Sequence, residues 1–181
     1  MLGHRDIRST LGYAELQETQ VRAGSFEPGY DDNSCMQANP RLQALAVLIG
    51  EWTTIGAHPM LPGKTFHGRA TFTWLESGAF LLFQSHIDEP EIPDGIAILG
   101  TDDAALDAGA MLYFDVRSVS REYRWTISSN VWTWSRDEPG FSQRMVFTIA
   151  EDGQSIEAKG QMSQNGQPWE PDLQSTYSRV S

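Results

Sequence analysis

From Gly50 to the end of the chain, hydrophobic and polar residues alternate with a period of two, the pattern of strands that bury one face. The segments that carry it are 51–58, 65–76, 79–88, 95–100, 110–117, 121–128, 131–136, 141–150, 155–163 and 173–180. They are rich in Thr, Val, Ile, Phe, Tyr and Trp, residues suited to a pleated, half-buried surface. Turn formers separate them: Ser77-Gly78, Ser129-Asn130, Asp137-Glu138-Pro139-Gly140, Asp152-Gly153 and Asn165-Gly166. Strands joined by hairpins predict an antiparallel meander, and a sheet of about ten strands closes on itself to remove its edges. The expected fold is all-β, a single antiparallel up-and-down barrel.

Ahead of the first strand the period lengthens. Leu42, Leu45, Ala46 and Ile49 fall at i, i+3, i+4 and i+7, one apolar stripe of a helix. Asn39 suits its N-cap, Pro40 its first position and Gly50 the residue past its end. One short N-terminal helix is therefore expected to plug or cover something. Residues 1–37 are polar and carry turn formers at Gly24, Pro28, Gly29, Asp31, Asp32 and Asn33. They read as a flexible or partly helical extension, with the barrel spanning 38–181.

Neither strand face is uniformly apolar. In 111–117, Leu112, Phe114 and Val116 oppose Met111, Tyr113, Asp115 and Arg117; in 141–149, Gln143 sits among Phe141, Met145, Phe147 and Ile149. Barrels of eight to ten strands can enclose a cavity lined by aromatic and a few polar groups. Trp74, Tyr113, Arg117, Trp134 and Arg144 are the residues expected to line and anchor a ligand there, although the sequence leaves open which face points inward. A carboxylate in such a cavity would have its pKa raised by desolvation, making Asp115 or Glu76 the candidate acid/base of an isomerase or cyclase. The structural alternative pairs Asp115 with an arginine.

Charge narrows the partners. Twenty-four acidic and thirteen basic residues give −11 over 181 residues, a field that repels phosphate backbones and anionic lipid. Neither nucleic acid nor membrane is expected as a partner. The longest apolar run, 44–50, is too short to span a bilayer, and the N-terminus lacks the apolar core of a secretory signal, so a cytoplasmic location is expected. Cys35 is the only cysteine. His58, His67 and His86 show no ligand spacing and are expected to be solvated or at the rim, without a metal. The acidic stretch 88–94 lacks the glycine and spacing of a calcium loop and reads as a solvated turn.

Gly50-Glu51-Trp52, just after the short helix, resembles the Gly-x-Trp signature of lipocalin-like, calycin-type barrels. That resemblance implies that Trp52 packs across a closed end beneath an arginine of the last strand, here Arg179. Residues 36–180 more closely resemble a family of bacterial lipocalin-like proteins, through Phe72-Thr73-Trp74-Leu75-Glu76, Pro93-Asp94-Gly95-Ile96-Ala97-Ile98, Met111-Leu112-Tyr113-Phe114-Asp115 and Pro139-Gly140-Phe141-Ser142-Gln143-Arg144. The family implies a fold and no particular reaction. Nitrobindin-type haem barrels are similar at a distance. They begin Gly-x-Trp-x-Gly-x-Gly, whereas this chain has Thr54 at the middle glycine, and its last histidine, His86, precedes the C-terminal region where those barrels hold the iron. Residues 2–16, with Leu2-Gly3-His4 and Tyr13, resemble the C-terminal active-site box of tyrosine recombinases. The arginines and lysine that would stabilise the transferring phosphate do not accompany it, so a gene remnant is expected there.

The leading expectation is non-covalent binding of a small apolar or amphipathic molecule inside the barrel, with no cofactor. The cofactor-free isomerase or cyclase, a haem barrel with a displaced ligand, and an interaction protein using the outer sheet face are the alternatives.

Overall fold

The computed structural model describes residues 39–102 and 107–181. The expected extension, with its recombinase-like box and Cys35, lies outside the described residues. Ten strands are present among the described residues: β1 Gly50–Ala57, β2 Phe66–Leu75, β3 Phe80–Ile87, β4 Gly95–Leu99, β5 Ala108–Asp115, β6 Ser120–Ser128, β7 Val131–Arg136, β8 Phe141–Ile149, β9 Ser155–Gln164 and β10 Glu170–Arg179. Each pairs antiparallel with its sequence neighbours, and β1 pairs with β10 to close the barrel. The meander follows from the turn chemistry: Ser129 and Asn165 hold positive φ in tight hairpins. β10 begins earlier than the alternation predicts. Pro171, which has no N–H for the ladder, is accommodated where the register shifts between Pro171 and Gln174.

The helix over Pro40–Leu48 is a 3-10 helix rather than an α-helix. Its buried residues are Leu42, Leu45 and Leu48, spaced by the three residues of a 3-10 turn. That spacing replaces the expected stripe, leaving Ala46 and Ile49 only half-buried. Asn39 caps it as expected, its side chain accepting from the Arg41 N–H at 3.0 Å. The Asn39 N–H donates to Gly78 O and its Nδ2 to Thr101 Oγ1. The helix is thereby tied to one end of the barrel. It is too short and too polar to cross a membrane, and no described helix is long and apolar enough to do so.

That end is sealed by a clamp. The Trp52 Nε1–H donates to Leu48 O at 2.8 Å, and the Arg179 guanidinium lies 4.2 Å above the indole. Arg179 also donates to Ile49 O, Val47 O and Gly153 O, at 2.6, 2.6 and 2.9 Å. Gly50 has φ +130°, and a Cβ there would lie 2.9 Å from Arg179 Nη1, so the glycine of Gly-x-Trp is required by both backbone and space. Trp52 and Arg179, the two residues that the resemblance singles out, are in contact here.

Next to the clamp, Phe72, Trp125 and Trp132 fill the interior, all with essentially no exposure. On β5 the more apolar face, Leu112 and Phe114, points outward, while Met111 points in. The reason is register: Met111 stands between Leu99 and Tyr123, both buried, and the outer residues cover one another in the row Leu82, Ile98, Leu112.

Replacing Arg179 by Ala leaves three carbonyls without their charged donor and removes the cation–π contact. The expected loss is about 3 kcal/mol in urea unfolding, and Lys, unable to fork across the carbonyls, should recover less than half of it. A loss below about 0.5 kcal/mol, typical of a surface change, would show that the clamp does not hold the end.

Candidate functional site

Opposite the plug the interior is open. A cavity of about 610 Å³ is enclosed there, within the usual range for small-molecule sites. Its volume follows from an unequal distribution of side chains. Gly56 on β1, Gly68 and Ala70 on β2, Ala97 on β4, and Ala158 and Gly160 on β9 are all buried, and these strands contribute little bulk where those residues face inward. The facing strands carry rings: Phe83, Tyr113, Tyr123, Trp134 and Phe147 line the cavity. They interlock, with Tyr123 against Trp134 at 4.7 Å and 71°, and Trp134 against Phe147 at 6.1 Å. A shallower depression of about 580 Å³ lies outside the barrel, along Arg69, His86, Asp94, Phe114 and Val116. Its lining includes exposed residues of the outer face, so the interior offers a ligand far more burial.

Two segments border the mouth. Met60 and Leu61, between β1 and β2, and Glu91, Ile92 and Pro93, between β3 and β4, line the cavity. Lys64 Nζ meets Glu89 Oε2 at 2.9 Å and links the two, so the acidic stretch 88–94 is not merely a solvated turn. Across the mouth, Arg121 stacks over the Phe141 ring at 4.1 Å.

A buried polar chain crosses the same region. Tyr123 OH donates to Gln143 Oε1 at 2.6 Å, Gln143 Nε2 donates to Asp172 Oδ2 at 2.6 Å, and His58 Nε2 lies 2.8 Å from Asp172 Oδ1. The His58 Nδ1 accepts the Met60 N–H at 3.1 Å. That bond requires an unprotonated Nδ1, which places the ring proton on Nε2, donated to Asp172. Asp172 is 4 % exposed, so the chain satisfies an acid that could not otherwise be buried.

Of the five residues expected to line the site, Tyr113, Trp134 and Arg117 do so. Trp74 and Arg144 do not. Trp74 stands near the closed-end terminus of β2 and packs against the core there; alternation gave its face but not its height. Arg144 points outward, donating to Gln161 Oε1 and stacking on Trp169 at 4.3 Å. Glu76 is exposed in the turn after β2, at φ 48°, outside the cavity. Asp115 ends β5 and borders the outer depression rather than the interior. Arg117 reaches the mouth from the following turn, not by strand alternation, and donates through both its backbone N–H and its guanidinium to Asp115. Arg117 holds the Asp115 carboxyl below the usual carboxylate range, overcoming the burial that opposes it. That is the opposite of the rise that acid catalysis would use, and it is the structural pairing with an arginine. Thr54, His58, Tyr123, Gln143, Phe147, Asp172, Ser175 and Tyr177 also line the cavity and were not singled out by the sequence. Only Gln143, a polar residue on an apolar face, carried a signal.

His58 faces the cavity while His67 and His86 are exposed, so the three do not converge. His86 lies 2.8 Å from Asp94 and 3.2 Å from Asp88. Among the described residues no histidine faces the interior with a free ring nitrogen, so none supplies the histidine ligand of a nitrobindin-type barrel. No cluster of three metal-ligating side chains occurs among the described residues.

Among solved structures the barrel is similar to Rv2717c from M. tuberculosis, with a TM-score of 0.63 and 16% identity over 80% of this chain and 100% of that one. It is also similar to the S-type phycobiliprotein lyase CPES from Guillardia theta, with a TM-score of 0.55 and 11% identity over 85% of this chain and 99% of that one. At those identities the likeness shows the lipocalin-like barrel fold. No protein-family model matches the sequence, and no curated protein does.

Asp115 has a lowered pKa in the fold, so its carboxylate adds stability above the unfolded-state pKa and loses that contribution as pH falls through the folded value. Asp115→Asn should therefore be least stable relative to wild type at neutral pH, and the gap should begin to narrow as pH falls below about 4. Urea midpoints measured from pH 7 to pH 3 test this; a gap independent of pH would remove the charge from the account.

Proposed function

We propose that the protein binds a small amphipathic molecule inside the barrel without covalent chemistry. The observation that carries this reading is the cavity of about 610 Å³, sealed at one end and open at the other, with an aromatic wall along its depth. An apolar body would lie against Phe83, Trp134 and Phe147. A polar or anionic end would remain at the mouth near Arg117 and Arg121, both of which line it. Arg117 is partly neutralised by Asp115, whereas Arg121 has no carboxylate partner among the described residues. Acid–base turnover is less well supported, because Asp115 is held ionised by Arg117 and Glu76 is exposed away from the cavity.

The dye 1-anilinonaphthalene-8-sulfonate tests the proposal, having an apolar body and one anionic end. One dye per folded chain is expected, with blue-shifted emission. Ser175→Trp, which places an indole in the cavity, should weaken binding by at least about tenfold, and Arg121→Gln by about threefold. Thermal melts must remain cooperative, since loosely packed states also take up this dye. Dye binding indifferent to Ser175→Trp would place it outside the barrel and refute the reading.

A further inference from the structure

We propose that the cavity reads a neutral hydrogen-bond acceptor on the buried part of its ligand through Tyr177 and Thr54, so that the ligand is a planar, conjugated molecule bearing a carbonyl oxygen in its apolar portion. This rests on the binding reading above and adds to it the chemistry of the buried end.

Three tyrosines line the cavity, and two are already engaged. Tyr113 OH donates to Asp115 Oδ2 at 3.3 Å and Tyr123 OH to Gln143 Oε1 at 2.6 Å. Tyr177 is 6 % exposed, lines the cavity, and has no hydrogen-bond partner among the described residues. Directly opposite it in the β1–β10 register stands Thr54, also lining the cavity, 9 % exposed and likewise without a partner. Among the described residues the fully buried polar side-chain atoms without a partner are Trp132 Nε1 and Trp134 Nε1; the hydroxyl oxygens of Thr54 and Tyr177 are instead accessible within the cavity, where a ligand can supply the bond. Burial also raises the Tyr177 pKa, keeping the phenol protonated and able to donate.

Glycine makes room for the hydroxyls themselves. A Cβ on Gly68 would lie 2.8 Å from Thr54 Oγ1, and one on Gly56 would lie 2.8 Å from Ser175 Oγ. Phe147 stands 6.0 Å from the Tyr177 ring, and with Trp134 it presents ring surfaces to a flat ligand. The acceptor is neutral because Arg117 and Arg121 belong to the turn after β5 and the mouth end of β6, not to this depth, while Arg69, level with Thr54 on β2, is exposed and alternates to the outer side. A carbonyl oxygen has two lone pairs and matches two hydroxyl donors.

Three matched tricyclic probes separate the parts: 9-oxofluorene-2-carboxylate, fluorene-2-carboxylate and 9-fluorenone, titrated by tryptophan fluorescence and calorimetry. Wild type should bind the keto acid about five- to tenfold more tightly than fluorene-2-carboxylate, the worth of one to two net hydrogen bonds. Tyr177→Phe keeps the ring and should abolish that ratio while leaving fluorene-2-carboxylate within about twofold; Thr54→Val should reduce the ratio in part. Circular dichroism melts confirm that each variant is folded. A wild-type ratio near one, or a Tyr177→Phe loss equal for both acids, would overturn the acceptor subsite while leaving the cavity as a binding site. Failure of all three probes and of the naphthalene dye to bind would instead overturn the binding reading itself.

Discussion

The seam between β1 and β10 is the constraint on which the rest of the molecule depends. Closing the meander there removes its two free edges, and the register it imposes stacks inward-facing pairs from the sealed end to the mouth. Trp52 stands opposite Arg179, Thr54 opposite Tyr177, and Gly56 opposite Ser175; beyond them His58 meets Asp172. The plug, the unpartnered hydroxyls and the buried acid all belong to one column. Slipping that pairing by one residue would turn all of them to the outside.

A ring of ten strands also encloses more than its side chains fill. Larger barrels leave room that smaller ones occupy with their own residues. Here the sealed end is filled, because Trp52, Phe72, Trp125 and Trp132 meet there with three leucines of the 3-10 helix. Toward the mouth several inward positions of β1, β2 and β9 are glycine or alanine (Gly56, Gly68, Ala70, Ala158 and Gly160), whereas β3 and β5 to β8 carry rings. The cavity is thus a consequence of where bulk is placed around the ring. It is stiffened by the edge-to-face contact of Tyr123 with Trp134, a geometry that aromatic quadrupoles favour, and by the tilted contact of Trp134 with Phe147.

The strands were legible because period-two alternation and turn residues act locally. Facing was legible only where neighbours agreed. On β5 alternation left open whether Leu112 and Phe114 or Met111 and Tyr113 face inward, and register with Leu99 and Tyr123 puts Met111 inside. Height along a strand was not legible at all, so Trp74, on the inward face, belongs to the plug's end of β2 rather than to the site. Arg117 reached the mouth for a reason that alternation cannot express, since its turn folds back onto Asp115. The pairs of the seam join residues more than a hundred positions apart, and nothing in either local pattern announces Tyr177 or Thr54.

A histidine bonded to a buried aspartate at a cavity mouth invites comparison with a catalytic pair, but the hydrogen bonds assign it a different role. General-base chemistry needs the second ring nitrogen to face a substrate with its lone pair free. In His58 that lone pair is occupied by the Met60 N–H, and both Asp172 oxygens are occupied, one by the His58 ring and one by Gln143. Each group in the chain from Tyr123 to Met60 has its partner inside the protein. Its consequence is mechanical: it fixes the segment after β1, which carries Met60 and Leu61 at the mouth, to β10 and, through Gln143, to β8. The contrast with the deeper pair is the informative part. Where the wall needs rigidity its polar groups satisfy one another, and at Thr54, Tyr177 and the Trp134 Nε1–H they do not, so the polar capacity left over for a ligand lies in the interior rather than in the dyad at the rim.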